Sequence, residues 1–372
     1  MSENTVGGTA AAGPADPALP PTNRDVMPGS HTRGPDNEGS GKKSASAPSA
    51  LRRLGGGTGV ARNAGLVIAL VLLCIVGFVT AGDRFLSTDN ITTILASAAT
   101  LGIISIGMTF VITGGGIDLS VGSVLGLATV WATTLATQTM AADTHWIIMV
   151  FTAMAVGAVA GLINGAIVAY GRVVSFIATL AMLIGARGLA EIISNRQTQL
   201  VTVQPFLDTF RADILGLPVT VWMFIIVAIA GWVLLNRTTF GRRTIAVGGN
   251  PEAARLAGIK VKRHMMYLFT LAGLTVGIAA VTMMARTRSG SSTNGTLYEL
   301  DAIAAVVVGG TLLIGGRGTI LGTVFGVLIF QTLTNIFVLN NLSTSAQAIT
   351  KGVILVAAVL LQQRFASRAR SS

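Results

Sequence analysis

The chain has 372 residues, of which 51% are hydrophobic and 11% charged, with a mean hydropathy of +0.70. A water-soluble domain carries about 25% charged residues, so this chain lacks the polar shell of a soluble enzyme and the bilayer is its expected solvent. The net charge of +11 sits between apolar runs rather than on a basic stripe interleaved with aromatics, so no nucleic-acid partner is expected.

Residues 1–60 hold seven of the ten prolines and eleven glycines and show no apolar periodicity. Such a segment cannot offset its ordering entropy, and a disordered cytoplasmic tail is expected there, ahead of a membrane domain over 61–372. Within the tail, Gly39-Ser40-Gly41-Lys42-Lys43-Ser44 misses the G-x-x-x-x-G-K-[ST] spacing and follows no strand, so no nucleotide site and no cofactor is expected.

Residues 64–81 form an uncharged stretch preceded by Arg52, Arg53 and Arg62, and at 1.5 Å per residue it reaches about 27 Å as a helix. An uncleaved first span fits it better than a signal peptide, because the preceding tail is far longer than an ordinary n-region. Cys74 inside this run reads as a small buried hydrophobe. Further apolar runs over 91–112, 119–138, 146–170, 173–193, 217–236, 265–285, 301–314, 319–340 and 347–363 bring the expected spans to ten. The fold class is therefore all-α, a polytopic membrane protein of about ten spans with re-entrant or broken elements.

Charge sets the expected orientation. The loop over 237–263 has seven cations (Arg237, Arg242, Arg243, Arg255, Lys260, Lys262, Arg263) against Glu252, whereas the alternate loops mix signs. By the positive-inside rule both termini are expected in the cytoplasm.

Two stretches interrupt the apolar pattern. In the first, Gly114, Gly115 and Gly116 permit a sharp turn, and Asp118 or Ser120 can accept from the amides of a new helix. A broken element at a permeation pathway and a capped turn at the inner face both fit. The second, Gly309-Gly310 through Gly315-Gly316-Arg317-Gly318, echoes the first and hints at two related halves. Gly157, Gly161 and Gly165, and Gly322 and Gly326, recur at the four-residue spacing that brings helices close. Asn164 and Asn335 could bond a hydroxylated solute or another helix, and Lys351 reads as a snorkelling cation near the outer end of its span. No paired carboxylates lie at a span centre, and His31, His145 and His264 fall in the tail or at loop edges. No metal site and no catalytic set is expected.

In the basic loop, Asn250 is a good N-cap, Pro251 suits the first helical position, Glu252 favours the positive helix end and Gly258 can end the helix. A two-turn helix over 251–257 follows. So short a helix is marginal in water, which implies packing against a partner protein or, alternatively, a basic loop lying on anionic lipid.

This loop resembles the ATPase-coupling loop of inner-membrane permeases of ABC-type importers, in the branch that carries ribose, xylose, galactose and similar monosaccharides. Gly115-Gly116-Ile117-Asp118-Leu119-Ser120-Val121-Gly122-Ser123 is similar to a signature of that branch, as is Tyr298-Glu299-Leu300-Asp301-Ala302 running on to Gly309-Gly310-Thr311. The stretch from Arg172 to Leu180 fits as well. The resemblance covers residues 64–363. It implies a permease subunit of the cytoplasmic membrane with no catalytic site of its own, paired with a second copy or a paralogue. It also implies a cytosolic ABC ATPase docking on Gly249, Asn250, Pro251, Glu252, Ala253, Ala254, Arg255, Leu256, Ala257 and Gly258, and an extracytoplasmic sugar-binding protein on the other side. Gly114, Gly115, Gly116, Asp118, Ser120, Asn164 and Asn335 are the candidate pathway residues. Leu312-Leu313-Ile314 departs from the polar Ser-Leu-x-Gly-Gly of that branch. A stand-alone secondary transporter or channel is the alternative, weakened by the scarcity of ionisable residues within the spans.

Overall fold

The computed structural model describes residues 58–354 and Val356, with side chains from Ala64 onward. Residues 1–57 of the expected tail and the end of the last apolar run lie outside the described residues. In chain order, α1 (Thr58–Ala81) leads through the one-turn α2 (Asp83–Leu86) into α3 (Thr88–Thr113), followed by α4 (Val121–Ala132), α5 (Leu135–Asp143), α6 (Ile147–Tyr170) and α7 (Ser175–Ser194). Strand β1 (Gln199–Leu200), α8 (Gln204–Arg211) and the hairpin β2 (Asp213–Ile214) and β3 (Leu217–Pro218) precede α9 (Val219–Arg237), α10 (Thr239–Gly249) and α11 (Pro251–Leu256). Then come α12 (Val261–Thr287), β4 (Ser289–Gly290), α13 (Tyr298–Val308) and α14 (Ile320–Leu339), and residues 344–354 are helical.

Among the described residues, seven helices are long and apolar enough to cross a membrane: α1, α3, α6, α7, α9, α12 and α14. Two of the ten expected spans differ, and a third is described only in part. The run over 119–138 breaks at Thr133 and Thr134, where Thr133 turns its hydroxyl back to Thr129 O and Thr134 caps α5 by accepting from Thr137 N at 3.3 Å. The run over 301–314 stops at Gly309, because Gly310 takes a positive φ and the chain leaves the helix. The last run is described only in part.

α3 is the central helix, buried along most of its length and packed on α9, α12, α13 and α14. Polar pairs lock it there, with Thr100 Oγ1 2.9 Å from Thr282 Oγ1 and Thr109 Oγ1 2.8 Å from Thr323 Oγ1. In lipid, helix association depends on close van der Waals packing, and the α6–α12 crossing provides it. Gly157 and Gly161 of α6 lie against Gly273 and Gly277 of α12 so closely that an added Cβ would meet backbone atoms. α1 stays mostly exposed, as a helix facing lipid does, and seats Phe85 against Gly77.

The two ends of the bundle differ. At one, the end of α3, the start of α7, α10, α11 and the segment 309–319 converge. At the other, β1 pairs antiparallel with β4, and α8 buries Phe206, Leu207 and Phe210. There Phe210 meets Trp146 edge-on at 5.5 Å. Gln138 stitches this cap by donating to Leu200 O at 3.0 Å and accepting from Thr202 N at 2.7 Å.

Candidate coupling and pathway site

The basic loop folds as two helices. α10 is longer than anything the loop sequence suggested. Thr238 caps it by accepting from Gly241 N at 3.3 Å, and Gly241, Thr244 and Val247 form its buried face. The second, α11, starts where expected, with Asn250 extended and its side chain accepting from Ala253 N at 2.9 Å. Gly258 ends it with φ +83°, a left-handed conformation that glycine adopts without strain. Ala254 is the buried anchor beneath α11, while Pro251, Glu252, Ala253, Arg255, Leu256 and Ala257 are exposed along with the flanking Gly249 and Gly258. Leu256 is 76% exposed, an apolar knob on a helix of six residues. Arg255 reaches Glu252 with Nη2 2.5 Å from Oε1, and this bond holds the Glu252 carboxyl below its ordinary value and raises the Arg255 guanidinium.

The first glycine break lies directly under α10. Gly248 packs on Thr113 O, the last carbonyl of α3, and on Gly316 N, which donates to that same carbonyl at 2.9 Å. The chain then reverses through Gly114, Gly115 and Gly116, with Gly115 exposed at φ +86°. It re-enters the bundle, with Asp118 and Ser120 buried. Asp118 Oδ1 accepts from Ser120 N at 2.9 Å and from Ser120 Oγ at 2.6 Å, and Asn164 Nδ2 donates to Ser120 Oγ at 2.9 Å. Asn164 lies six residues before the end of α6, so α4 begins about 9 Å inside that end of the bundle. α4 is thus a half-helix that starts within the bundle and runs to the opposite end, where Gly290 packs on Thr129 and Thr133. Of the two sequence readings of this break, the geometry is that of a broken, re-entrant element. Asn335 stands apart from this group, exchanging hydrogen bonds with Asn90 at 2.7 and 3.1 Å.

A second descent meets α4 from the opposite end. The segment 291–297 runs back along α4, with Ser292 and Asn294 against Gly126 and with Gly295 and Glu299 against Gly122. Asn294 Nδ2 donates to Thr129 Oγ1 at 3.2 Å, and Arg187 Nη1 of α7 donates to Asn294 O at 3.4 Å. Arg187, Asn294 and Glu299 therefore surround the first turns of α4, and among the described residues Glu299 Oε2 is buried with no hydrogen-bond partner. Sequence reasoning passed over Arg187 and Glu191, although charged residues inside the 173–193 run are a plain signal. The snorkelling reading of Lys351 is corrected as well. Its Nζ sits 2.8 Å from Asp301 Oδ2 with side-chain exposures of 21% and 15%, because α13 brings that carboxylate within reach.

Residues 90–359 match the family model described as the branched-chain amino acid transport system permease component. The chain belongs to this permease family. It is 39% identical over 303 residues to the ribose import permease protein RbsC of Escherichia coli K12, covering 80% of this chain and 92% of that one. It is 41% identical over 308 residues to the RbsC of Bacillus subtilis strain 168, covering 82% and 94%. The L-arabinose ABC transporter permease protein AraH of Azospirillum brasilense is 36% identical over 320 residues, covering 86% and 92%. No solved structure matches the chain.

Proposed function

We propose that this permease is the membrane subunit of an ATP-driven importer for a monosaccharide of the ribose and arabinose class. The observation that carries the solute class is similarity along more than nine-tenths of each of those three sugar permeases. The family description names amino acids, but these relatives span the chain's pathway and coupling segments alike. A sugar offers hydroxyls that both donate and accept, and the layer of Arg187, Asn294 and Glu299 beside the α4 start supplies both kinds of partner. The fully buried group of Asp118, Ser120 and Asn164 supports a positioning role for the half-helix, with Gly114, Gly115 and Gly116 as its turn.

In the same reading, α11 is the contact for a cytosolic ATPase subunit, a second copy or paralogue completes the pathway, and a sugar-binding protein docks on the end capped by α8. Both termini then lie in the cytoplasm. Nucleotide-driven closure of the ATPases would move α11, and Gly248 transmits that motion to Thr113 and the first break. Leu256→Arg tests the coupling assignment. Removing a leucine from an interface costs about 1.5–3 kcal/mol, so ATPase co-purification should fall about 10- to 100-fold while the permease still elutes as a folded particle. Undiminished association would end the assignment. ATP-dependent uptake of ribose or arabinose into proteoliposomes, with the co-purifying ATPase and binding protein, tests the solute class. Uptake without the ATPase would favour a stand-alone transporter.

A further inference from the structure

At the α11 end of the bundle, a cavity of about 530 Å³ opens between α10 and the start of α12. Arg243, Lys260 and Arg263 line it together with Phe240 and Tyr267. Among the described residues none of these three cations makes an ion pair or a side-chain hydrogen bond. The one carboxylate of the loop, Glu252, is taken by Arg255. His264 on the floor is engaged as well, with Nε2 2.9 Å from Thr244 Oγ1. Phe240 and Tyr267 also wall a second groove of about 370 Å³, lined by Ala158, Leu234, Leu271 and Leu274. That groove runs from the cavity past Leu234 near the end of α9 toward the middle of α6 and α12, along apolar side chains only, save for Thr270 and the hydroxyl of Tyr267. Nearby, Arg237 lies over the Trp232 ring at 5.3 Å, an aromatic and cation pair of the kind found at the boundary between lipid and water.

We propose that the cavity and groove together hold one anionic phospholipid, its phosphate headgroup among Arg243, Lys260 and Arg263 and one acyl chain along Leu234, Leu271 and Leu274. A free phosphate would satisfy the cations but leave the groove uncovered, and a neutral lipid would fill the groove but leave three cations unpaired. Only a molecule with both parts matches both surfaces. The lipid then wedges between α10 and α12, against the helix that carries Gly248 and leads into α11. The proposal rests on the membrane placement alone and stands whether or not α11 meets an ATPase.

The test is native mass spectrometry of the full chain in detergent, mixed with dioleoyl phosphatidylglycerol or dioleoyl phosphatidylcholine and no ATPase. One phosphatidylglycerol should be retained per chain in preference to phosphatidylcholine. Arg243→Ala, Lys260→Ala and Arg263→Ala combined should lower that preference about a hundredfold, the order expected for three lost cations near a phosphate. Leu274→Trp fills the groove and spares the cations, so it should also lower phosphatidylglycerol retention, and it carries the test should the triple variant fail to fold. Millimolar inorganic phosphate should leave the lipid in place. Equal retention of the two lipids, an unchanged preference in the variants, or displacement by inorganic phosphate would overturn the proposal. So would displacement by the purified ATPase, which would make the cavity a protein contact.

Discussion

Two helices at the same end of this molecule begin with the same chemistry in opposite surroundings. α4 begins at Asp118 and Ser120, inside the bundle and bonded to Asn164, whereas α11 begins at Asn250, with most of its surface exposed. In each, a short polar side chain accepts from a nearby backbone amide, Asp118 from Ser120 N just ahead of α4 and Asn250 from Ala253 N in the first turn of α11. Burial turns the first into a fixed point, since Asp118, Ser120 and the Asn164 amide nitrogen bond to one another rather than to water, while among the described residues Asn164 Oδ1 is buried without a hydrogen-bond partner. Exposure leaves the second free to be covered by something else. The Gly248 contact with Thr113 joins the two regions, since α10, which leads into α11, rests on the turn before α4.

The comparison breaks most visibly at Asp118. Asp118→Ala strips the acceptor from both Ser120 N and Ser120 Oγ in a buried site, a loss of about 3 kcal/mol. Thermal unfolding in detergent should show a clear drop, with Asp118→Asn much milder because it keeps an acceptor oxygen. An alanine variant as stable as the native chain would mean that burial does not distinguish the two helix starts. Next comes Gly248→Ala, whose Cβ would fall on the Thr113 carbonyl and Gly316 amide. Overpacking of this kind costs about 1–3 kcal/mol, and it should slow transport more than it lowers stability if the contact transmits motion. Equal losses in both readouts would reduce Gly248 to packing.

A smaller effect is expected at Asn250. Asn250→Ala removes the cap of α11 and costs about 1 kcal/mol of local helix stability. Amide exchange at Ala253 should quicken while global unfolding stays the same. A matching loss of global stability would show α11 to be part of the core after all.

The all-α membrane architecture was legible because hydropathy reports the solvent of each helix directly, and α1, α3, α6, α7, α9, α12 and α14 follow their apolar runs. The start of α11 was legible because capping is local chemistry written within three residues. The end of α4 was not, because Thr133 and Thr134 interrupt its backbone without changing polarity and hydropathy runs straight through them. The end of α13 was legible in part: Gly309-Gly310 reads as a break, yet the apolar run over 301–314 passes through it. The descent of 291–297 along α4 was invisible for a related reason. Its polar residues look like an ordinary loop, and only the packing of Gly122 and Gly126 reveals that the loop enters the bundle. Arg187 and Glu299 come together through that packing, from segments more than a hundred residues apart.

The finest test of the contrast is pH dependence at α11. The Arg255 guanidinium holds the Glu252 carboxyl below its ordinary value of 4.5, so the pair contributes fully above that value and is lost only as pH falls through the lowered one. Both side chains are exposed, and the contribution is correspondingly small. Amide exchange across α11 should therefore be insensitive to this pair between about pH 6 and pH 8, after correction for the intrinsic exchange rate. Below about pH 4.5 the native helix should loosen slightly, and Glu252→Gln should show that slight loosening already at neutral pH, with no acid-dependent step. A step near pH 6 that survives Glu252→Gln would place the titrating group elsewhere, and α11 could no longer be treated as a helix governed by its own exposed surface.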